Sequence, residues 1–332
     1  MPRAAHAVHA LLPVVSYEGE AALAVASRSS SLPVVQVGRG SGLLAALSMV
    51  CKGVAAMNAQ TDQAWLYLGE QEIESADHEL PQGLVSIRSH QAPDKDSINE
   101  DAAAIIPFGQ DALILAVADG VGGTPAGRDA SNRVVRTLRN VLARTEPKAE
   151  NLRPAILDAV EEANRGIINR SRGAATTLVV GAIAGGEVRS YHVGDSELIS
   201  VGQRGRVKLR ITPHSPTGFA VEAGLLDEDE AVQHDQRHLL FNVIGATDMR
   251  IEVGTPIKID THDTILLASD GLMDNLYIDE IVDVVRKGPL SDAADELSRR
   301  AVERMTETSG GQPSKPDDLT VMLFRLRAGR KG

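Results

Sequence analysis

The chain has 332 residues, 43% apolar and 24% charged, which suits one large domain or one domain with an appendage. Its net charge of −11 and its 3% aromatic content argue against a nucleic-acid or anionic-membrane surface and against stacking on bases or sugars. A lone cysteine, Cys51, excludes a disulfide framework within the chain and a cysteine-rich zinc site, and fits a reducing compartment.

Residues 1–82 are Ala- and Ser-rich with patchy periodicity, and form an amino-terminal segment with no chemistry-bearing motif. The opening stretch has a single early Arg3 and an apolar run broken by Glu18 and Glu20, a poor signal peptide. Gly42–Met57 reads as a short helix; it carries Lys52 and is too short to span a bilayer. A cytoplasmic protein without membrane contact is expected, and a chain begun near Glu79 is expected to fold and keep activity. Cys51 reads as a small buried apolar residue.

From Gly83 the pattern sharpens. LVSIR (84–88) reads as a strand, and DALILAVADG (111–120) as a buried strand running into an Asp-Gly turn. A helix follows, with Thr124 as N-cap and Pro125 at its first position; Ala130, Val134, Leu138 and Val141 recur at helical spacing. A second helix after Asn151 places Leu152, Ile156, Val160, Ala163 and Ile167 on one face. TTLVVGAIA and EVRSYHVGD read as strands joined by Gly185-Gly186, a hairpin signal. Residues 211–250 are irregular. DTILLASDG (263–271) repeats the strand-then-Asp-Gly pattern, 278–288 and 292–305 read as helices, Ser309–Pro316 as a loop and 317–327 as a closing strand. Runs of strands segregated from pairs of helices indicate an α+β layered domain. The basic residues after 327 read as a short solvated tail.

Four aspartates share one placement. Asp119 and Asp270 end buried strands, Asp195 follows one and Asp317 precedes one. Strand ends are rigid mounts, and hard oxygen ligands select Mg²⁺ or Mn²⁺ over zinc. A dinuclear site of this kind activates water for attack on phosphorus. Glycine after Asp119 lets a backbone carbonyl approach an ion. Asp-Gly is equally a common turn pair, so each aspartate taken singly is explained by the turn alone.

NEDA (99–102), VADGVGGTPAGRDAS (117–131), GAATTLVVGAI (173–183), VGDSELISV (193–201), LLASDGLMDNL (266–276) and DDLTVML (317–323) occur in order. Together they resemble the successive motifs of the protein phosphatase 2C family over residues 83–327, which sets a catalytic domain there and leaves 328–332 as the tail. The resemblance implies a four-layer α/β/β/α sandwich with two central, mainly antiparallel sheets. It implies a metal-dependent phosphatase of phosphoserine and phosphothreonine in proteins, substrates of a serine/threonine kinase. Two or three Mg²⁺ or Mn²⁺ ions would be bound. Asp119 would bridge two of them with the Gly120 carbonyl on one, Asp270 and Asp317 would complete the first site, and Asp195 would help hold a third. Glu100 and Asp101 would hold metal-bound waters. A metal-bound water would be the nucleophile, so no phosphoenzyme is expected.

Three positions depart from the family pattern. Asp96 stands where a phosphate-contacting arginine is common, with Lys95 beside it as the candidate substitute. Val121 replaces a histidine frequent after Asp-Gly, and Asp318 replaces the usual asparagine, adding negative charge. His214 follows Pro213 where the family often has Asp-His, and reads as a loop or surface histidine; His234 and His238, which flank the basic Arg237, read as surface groups. The Asp96 departure leaves open a weak or inactive phosphoprotein-binding scaffold, and a hydrolase of small phosphorylated molecules is a further rival.

Overall fold

Strands that are apolar on both faces must be covered on both faces, and that requirement generates the layers. The computed structural model describes residues 64–93, 98–121, 125–170, 173–307 and 311–327. The first half runs β1 (Trp65–Tyr67), β2 (Ile73–Glu79), β3 (Gly83–His90), β4 (Ala102–Phe108), β5 (Ala112–Ala118) and β6 (Gly120–Val121), then helices α1 (Pro125–Arg144) and α2 (Ala149–Arg170). Next come β7 (Ala175–Thr176), β8 (Leu178–Ala184), β9 (Glu187–Val193), β10 (Glu197–Val201), β11 (Val207–Arg210), α3 (Pro216–Glu222) and α4 (Glu228–Val232). The chain continues through β12 (Glu252–Val253), β13 (Ile257–Lys258), β14 (Thr264–Ala268), α5 (Asp270–Met273), α6 (Ile278–Val285), α7 (Leu290–Thr306) and β15 (Leu319–Leu326).

One sheet has the order β1-β4-β5-β8-β9-β12, with β13 also on β9, and the other β11-β10-β14-β15-β3-β2. Their pairings are antiparallel, β8 and β9 joining through Gly185 and Gly186 at φ of 59° and 78°, the positive values a tight hairpin demands. Alternation along single strands builds three cores. Leu113, Leu115 and Val117 of β5 meet Leu198, Ile265, Leu267 and Phe324 between the sheets. Ile114, Ala116 and Ala118 meet Val134, Leu138, Ile156, Val160 and Ile167 of α1 and α2. Leu266 and Ala268 of β14 meet Ile281, Val285, Ala294 and Leu297 of α6 and α7 on the far side. The result is the expected four-layer sandwich.

Two differences from the sequence reading concern weak signals. Residues 211–250 contain the short helices α3 and α4. Both sheets also reach back past residue 82, since β1 pairs with β4 and β2 with β3. The physical reason is that β2, IESADHE, is a strand whose residues alternate between exposed and half-buried, so it never shows a continuous apolar run. Gly42–Met57, Cys51, Thr124, Lys95, Asp96 and the residues after 327 lie outside the described residues.

Trp65, Tyr67 and Ala76 pack against the inter-sheet core, so strands β1 and β2 contribute to it. A chain begun at Glu79, lacking β1 and nearly all of β2, is expected to melt about 4–8 °C below one begun at Ala64, from a loss of about 2 kcal/mol at the usual 2–4 °C per kcal/mol. Scanning calorimetry of both measures this, and equal melting temperatures would show that these strands add nothing to the core.

Candidate metal centre

The strand ends that carry the aspartates converge because neighbouring backbone is stitched together there. Asp119 sits between β5 and β6. Its carbonyl accepts from the Thr177 amide at 2.8 Å and the Thr176 hydroxyl at 2.7 Å, and its amide donates to Thr177 Oγ1 at 3.1 Å. Asp101 is fixed by Asn99, whose Oδ1 accepts from the Asp101 amide at 2.9 Å, and by Ser269 Oγ, which donates to Asp101 Oδ2 at 2.7 Å. The Glu100 carbonyl accepts from Ser131 Oγ of α1 at 2.6 Å. Asp270 opens α5 and Asp317 leads into β15. Asp195 follows Gly194, whose φ of 100° is open to glycine alone without strain.

The glycines do more than clear space for an ion. A Cβ on Gly120 would lie 2.5 Å from the Gly127 carbonyl carbon and 2.9 Å from the Glu100 carbonyl, so glycine lets β6 rest on the first turns of α1. A Cβ on Gly271 would lie 2.0 Å from the Asp318 carbonyl. Asp318 adds its negative charge beside Asp101, as expected from the sequence, and also serves the backbone: it is 3% exposed, and its two oxygens accept the amides of Ala92 at 2.8 Å and Glu100 at 2.7 Å. It ties the NEDA loop to β15.

Asp119, Asp195, Asp270, Asp317 and Glu100 line one cleft of about 500 Å³, together with Gly120, Val121, Thr177, His238 and Lys315. Burial, then Asp270, Asp101, Asp317 and Asp195, push the Asp119 carboxyl well above its ordinary range. Burial and the Asp318 charge do the same to Asp101, and burial, Asp270 and Asp274 to Asp195. Burial first and Asp270 second raise Asp317 to about 6 and Asp274 to about 7.

The sequence reading missed two members. Lys315 Nζ contacts Asp270 Oδ2 at 2.5 Å, Asp274 Oδ2 at 2.8 Å and Asp317 Oδ2 at 3.2 Å. Burial alone would lower this ammonium; the three carboxylates outweigh it and hold it above the usual lysine range. Asp274 lies four residues beyond Asp270, one helical turn away, and that spacing was the available signal. Arg237, between the two histidines, is 22% exposed at its side chain and lies 3.8 Å from Asp274. His238 lines the cleft, while His234 accepts from the nearby Gln236 amide. His214 is buried, 6% exposed, and its Nδ1 accepts from the Gly194 amide at 3.1 Å, which corrects its reading as a surface histidine.

The donor set fits divalent cations. It is all oxygen, it is crowded with like charges, and among the described residues it contains carboxylate oxygens with no partner: Asp270 Oδ1 and Asp101 Oδ1 are buried and make no hydrogen bond there, although Asp270 Oδ2 and Asp101 Oδ2 do. Hard cations are the groups that such oxygens lack.

Known proteins with a similar sequence or fold belong to one family. The protein phosphatase 2C family profile matches residues 88–309. The chain is similar to protein phosphatase PhpP of Streptococcus pneumoniae, 32% identical over 222 residues that cover 64% of this chain and 85% of that protein. The solved serine/threonine phosphatase of S. agalactiae is 28% identical with a TM-score of 0.64, covering 73% of this chain and 99% of that one. A catalytic domain of the phosphatase PstP, solved in complex with 2 manganese ions, shares the fold at a TM-score of 0.57 and 21% identity, covering 74% of this chain and 98% of that one. With six motifs in order, a four-layer sandwich and a cleft of convergent aspartates, the chain belongs to the protein phosphatase 2C family of Mg²⁺- or Mn²⁺-dependent serine/threonine phosphatases.

Proposed function

We propose that Asp119, the Gly120 carbonyl, Asp270 and Asp317 hold two divalent ions, that Asp195 holds a further one, and that Glu100 and Asp101 orient water around them. The observation that supports this division most directly is the split of Asp270: Oδ2 is taken by Lys315 at 2.5 Å, while buried Oδ1 has no partner among the described residues. Asp101 shows the same split, with Ser269 on one oxygen and nothing on the other. Bound there, Mg²⁺ or Mn²⁺ would supply Lewis acidity and an activated water for in-line attack on phosphorus. The chain's own groups do the rest. Thr176 and Thr177 hold Asp119 in place, Ser269 holds Asp101, and Asp318 fixes the NEDA loop beside them. No side chain in this arrangement needs to become phosphorylated.

The substrates in this reading are phosphoserine and phosphothreonine proteins, made by a serine/threonine kinase in the same compartment, the cytoplasm. Among the described residues no helix is long and apolar enough to cross a membrane. The catalytic domain extends from about Ala64 to Arg327, since β1 and β2 belong to its sheets. A scaffold that only binds phosphoproteins has no use for a full carboxylate set, so retention of Asp119, Asp270 and Asp317 favours hydrolysis. In this reading Lys95, next to Asp96 in the sequence, takes the role of the absent phosphate-contacting arginine.

Three outcomes test this reading. Asp119→Asn and Asp270→Asn are each expected to lower Mn²⁺-dependent hydrolysis of p-nitrophenyl phosphate about 10³-fold with the fold intact, several kcal/mol of lost charge stabilisation at 1.36 kcal/mol per decade. Full activity of either at saturating Mn²⁺ would sink the site. Lys95→Ala is expected to raise KM for a phosphopeptide severalfold with a smaller change in kcat, the signature of a contact equal in ground and transition states. An unchanged KM would remove Lys95 from the site.

The third outcome is a pH dependence. Asp317 and Asp274 titrate near 6 and near 7, above the unfolded value of about 3.9, so between these limits the folded chain binds more protons than the unfolded one. Their contribution to stability is therefore present at low pH and is lost as pH rises through 6–7. The metal-free protein is expected to melt lower at pH 8 than at pH 5.5. Saturating Mn²⁺ should reverse that order, because deprotonated carboxylates bind the ion. A metal-free melting temperature that rises across this window would contradict the electrostatic description of the cluster.

A further inference from the structure

His214 and Gly194 are joined twice. The His214 amide donates to the Gly194 carbonyl at 2.9 Å, and the Gly194 amide donates back to His214 Nδ1 at 3.1 Å. The tautomer of this ring is set by its neighbours. Nδ1 also accepts from Asn242 Nδ2 at 2.9 Å. The Asn242 amide cannot be turned over, because Nδ2 donates to the Arg250 carbonyl at 2.7 Å and Oδ1 accepts from the Arg250 amide at 3.0 Å. With two donors on Nδ1, the ring proton is on Nε2, which donates to Glu252 Oε2 at 3.2 Å. Ligand atoms of His192, His214 and Glu252 lie within 4.8 Å of one another, a spacing open to a cation, but a protonated Nε2 makes His214 and Glu252 a hydrogen-bonded relay against which His192 is stacked.

The surroundings lock this relay. Glu252 lies opposite His192 in the β9–β12 register, and the His192 ring stacks on His214 with centroids 4.3 Å apart. His192 Nε2 donates to the Thr212 carbonyl at 3.0 Å. On its other side Gly194 presses on Thr177: a Cβ there would lie 2.7 Å from Thr177 Cβ. Thr177 in turn receives the Asp119 amide and bonds Ser196 at 2.6 Å. Gly194 is thus held between His214 and the residue that fixes Asp119, and the next residue along the chain is Asp195.

We infer that His214 is a positioning residue for the metal centre: by gripping Gly194 through Nδ1, with Glu252 holding its tautomer, it sets the place of Asp195 and with it the affinity of the ion that Asp195 holds. The inference rests on the assignment of Asp195 as a ligand. Outer groups that orient metal ligands change affinity about 10–100-fold when removed.

The test is Mn²⁺ titration calorimetry on the full chain, with melting temperatures recorded alongside, for the wild type, Asp195→Asn, His214→Ala, His214→Asn and His214→Gln. Asparagine places a side-chain oxygen near the Nδ1 position and can accept from Gly194, whereas glutamine reaches toward the Nε2 position. The expected result is that Asp195→Asn removes or weakens one class of Mn²⁺ site, that His214→Ala and His214→Gln weaken the same class about 10-fold or more, and that His214→Asn stays within about 3-fold of wild type. If Ala fails to fold, the Asn and Gln pair decides. A purely structural role would lower the melting temperatures of Asn and Gln alike and leave Mn²⁺ binding unchanged, and that result overturns the inference while sparing the Asp195 assignment. Unchanged binding in Asp195→Asn overturns both.

Discussion

The mutual repulsion of carboxylates gathered in one cleft is the constraint on which this structure turns. Asp101, Asp119 and Asp195 are each raised by burial and by one another's neighbours, and Asp274 and Asp317 are carried to about 7 and about 6 by the same causes. Left to themselves such groups would separate or take up protons. Lys315 relieves part of the charge by bridging the outer oxygens of Asp270, Asp274 and Asp317. What remains is a set of inward oxygens for which hard cations are the natural partners.

The architecture exists to oppose that repulsion. Asp119, Asp195, Asp270 and Asp317 hang from four different strand ends, and both sheets are packed on two faces, so these strands do not move without disturbing a core. The stitching between strand ends is almost entirely neutral: threonine hydroxyls on Asp119, a serine on Asp101, amides on Asp318. Neutral donors steady the carboxylates without cancelling the charge that the ions require. Among the described residues, the charged pairs on these aspartates are those of Lys315 and of Arg237, 3.8 Å from Asp274; farther out Arg210 joins Glu197 at 2.7 Å and Glu228 at 3.0 Å.

Much of this was legible in the sequence because buried strands and Asp-Gly turns leave strong local marks. The runs ending at Asp119 and Asp270 announced both central strands, and the ordered motifs named the residues of the cleft. The same reading passed over β2, because an edge strand lacks a continuous apolar run, and over Lys315, because a lysine in a loop looks like any solvated charge until the chain brings three aspartates to it. His214 was misread for a related reason. Its significance lies in Gly194, 20 residues earlier, and in Glu252, 38 residues later, and no local pattern encodes such distances. Asp318 was half legible: its added charge could be read from its type, but not the two backbone amides that it accepts.

Gly271 bears on how activity can be lost in a lineage. Its missing side chain is what allows the turn after Asp270 to lie against the Asp318 carbonyl, where a single methyl group would sit 2.0 Å away. That contact joins the turn that carries Asp270 to the residue that follows Asp317. An alanine there would force the two apart while altering no acidic residue. A descendant of this chain could therefore fall silent with every aspartate intact, and a census of acidic residues alone would count it among the living enzymes.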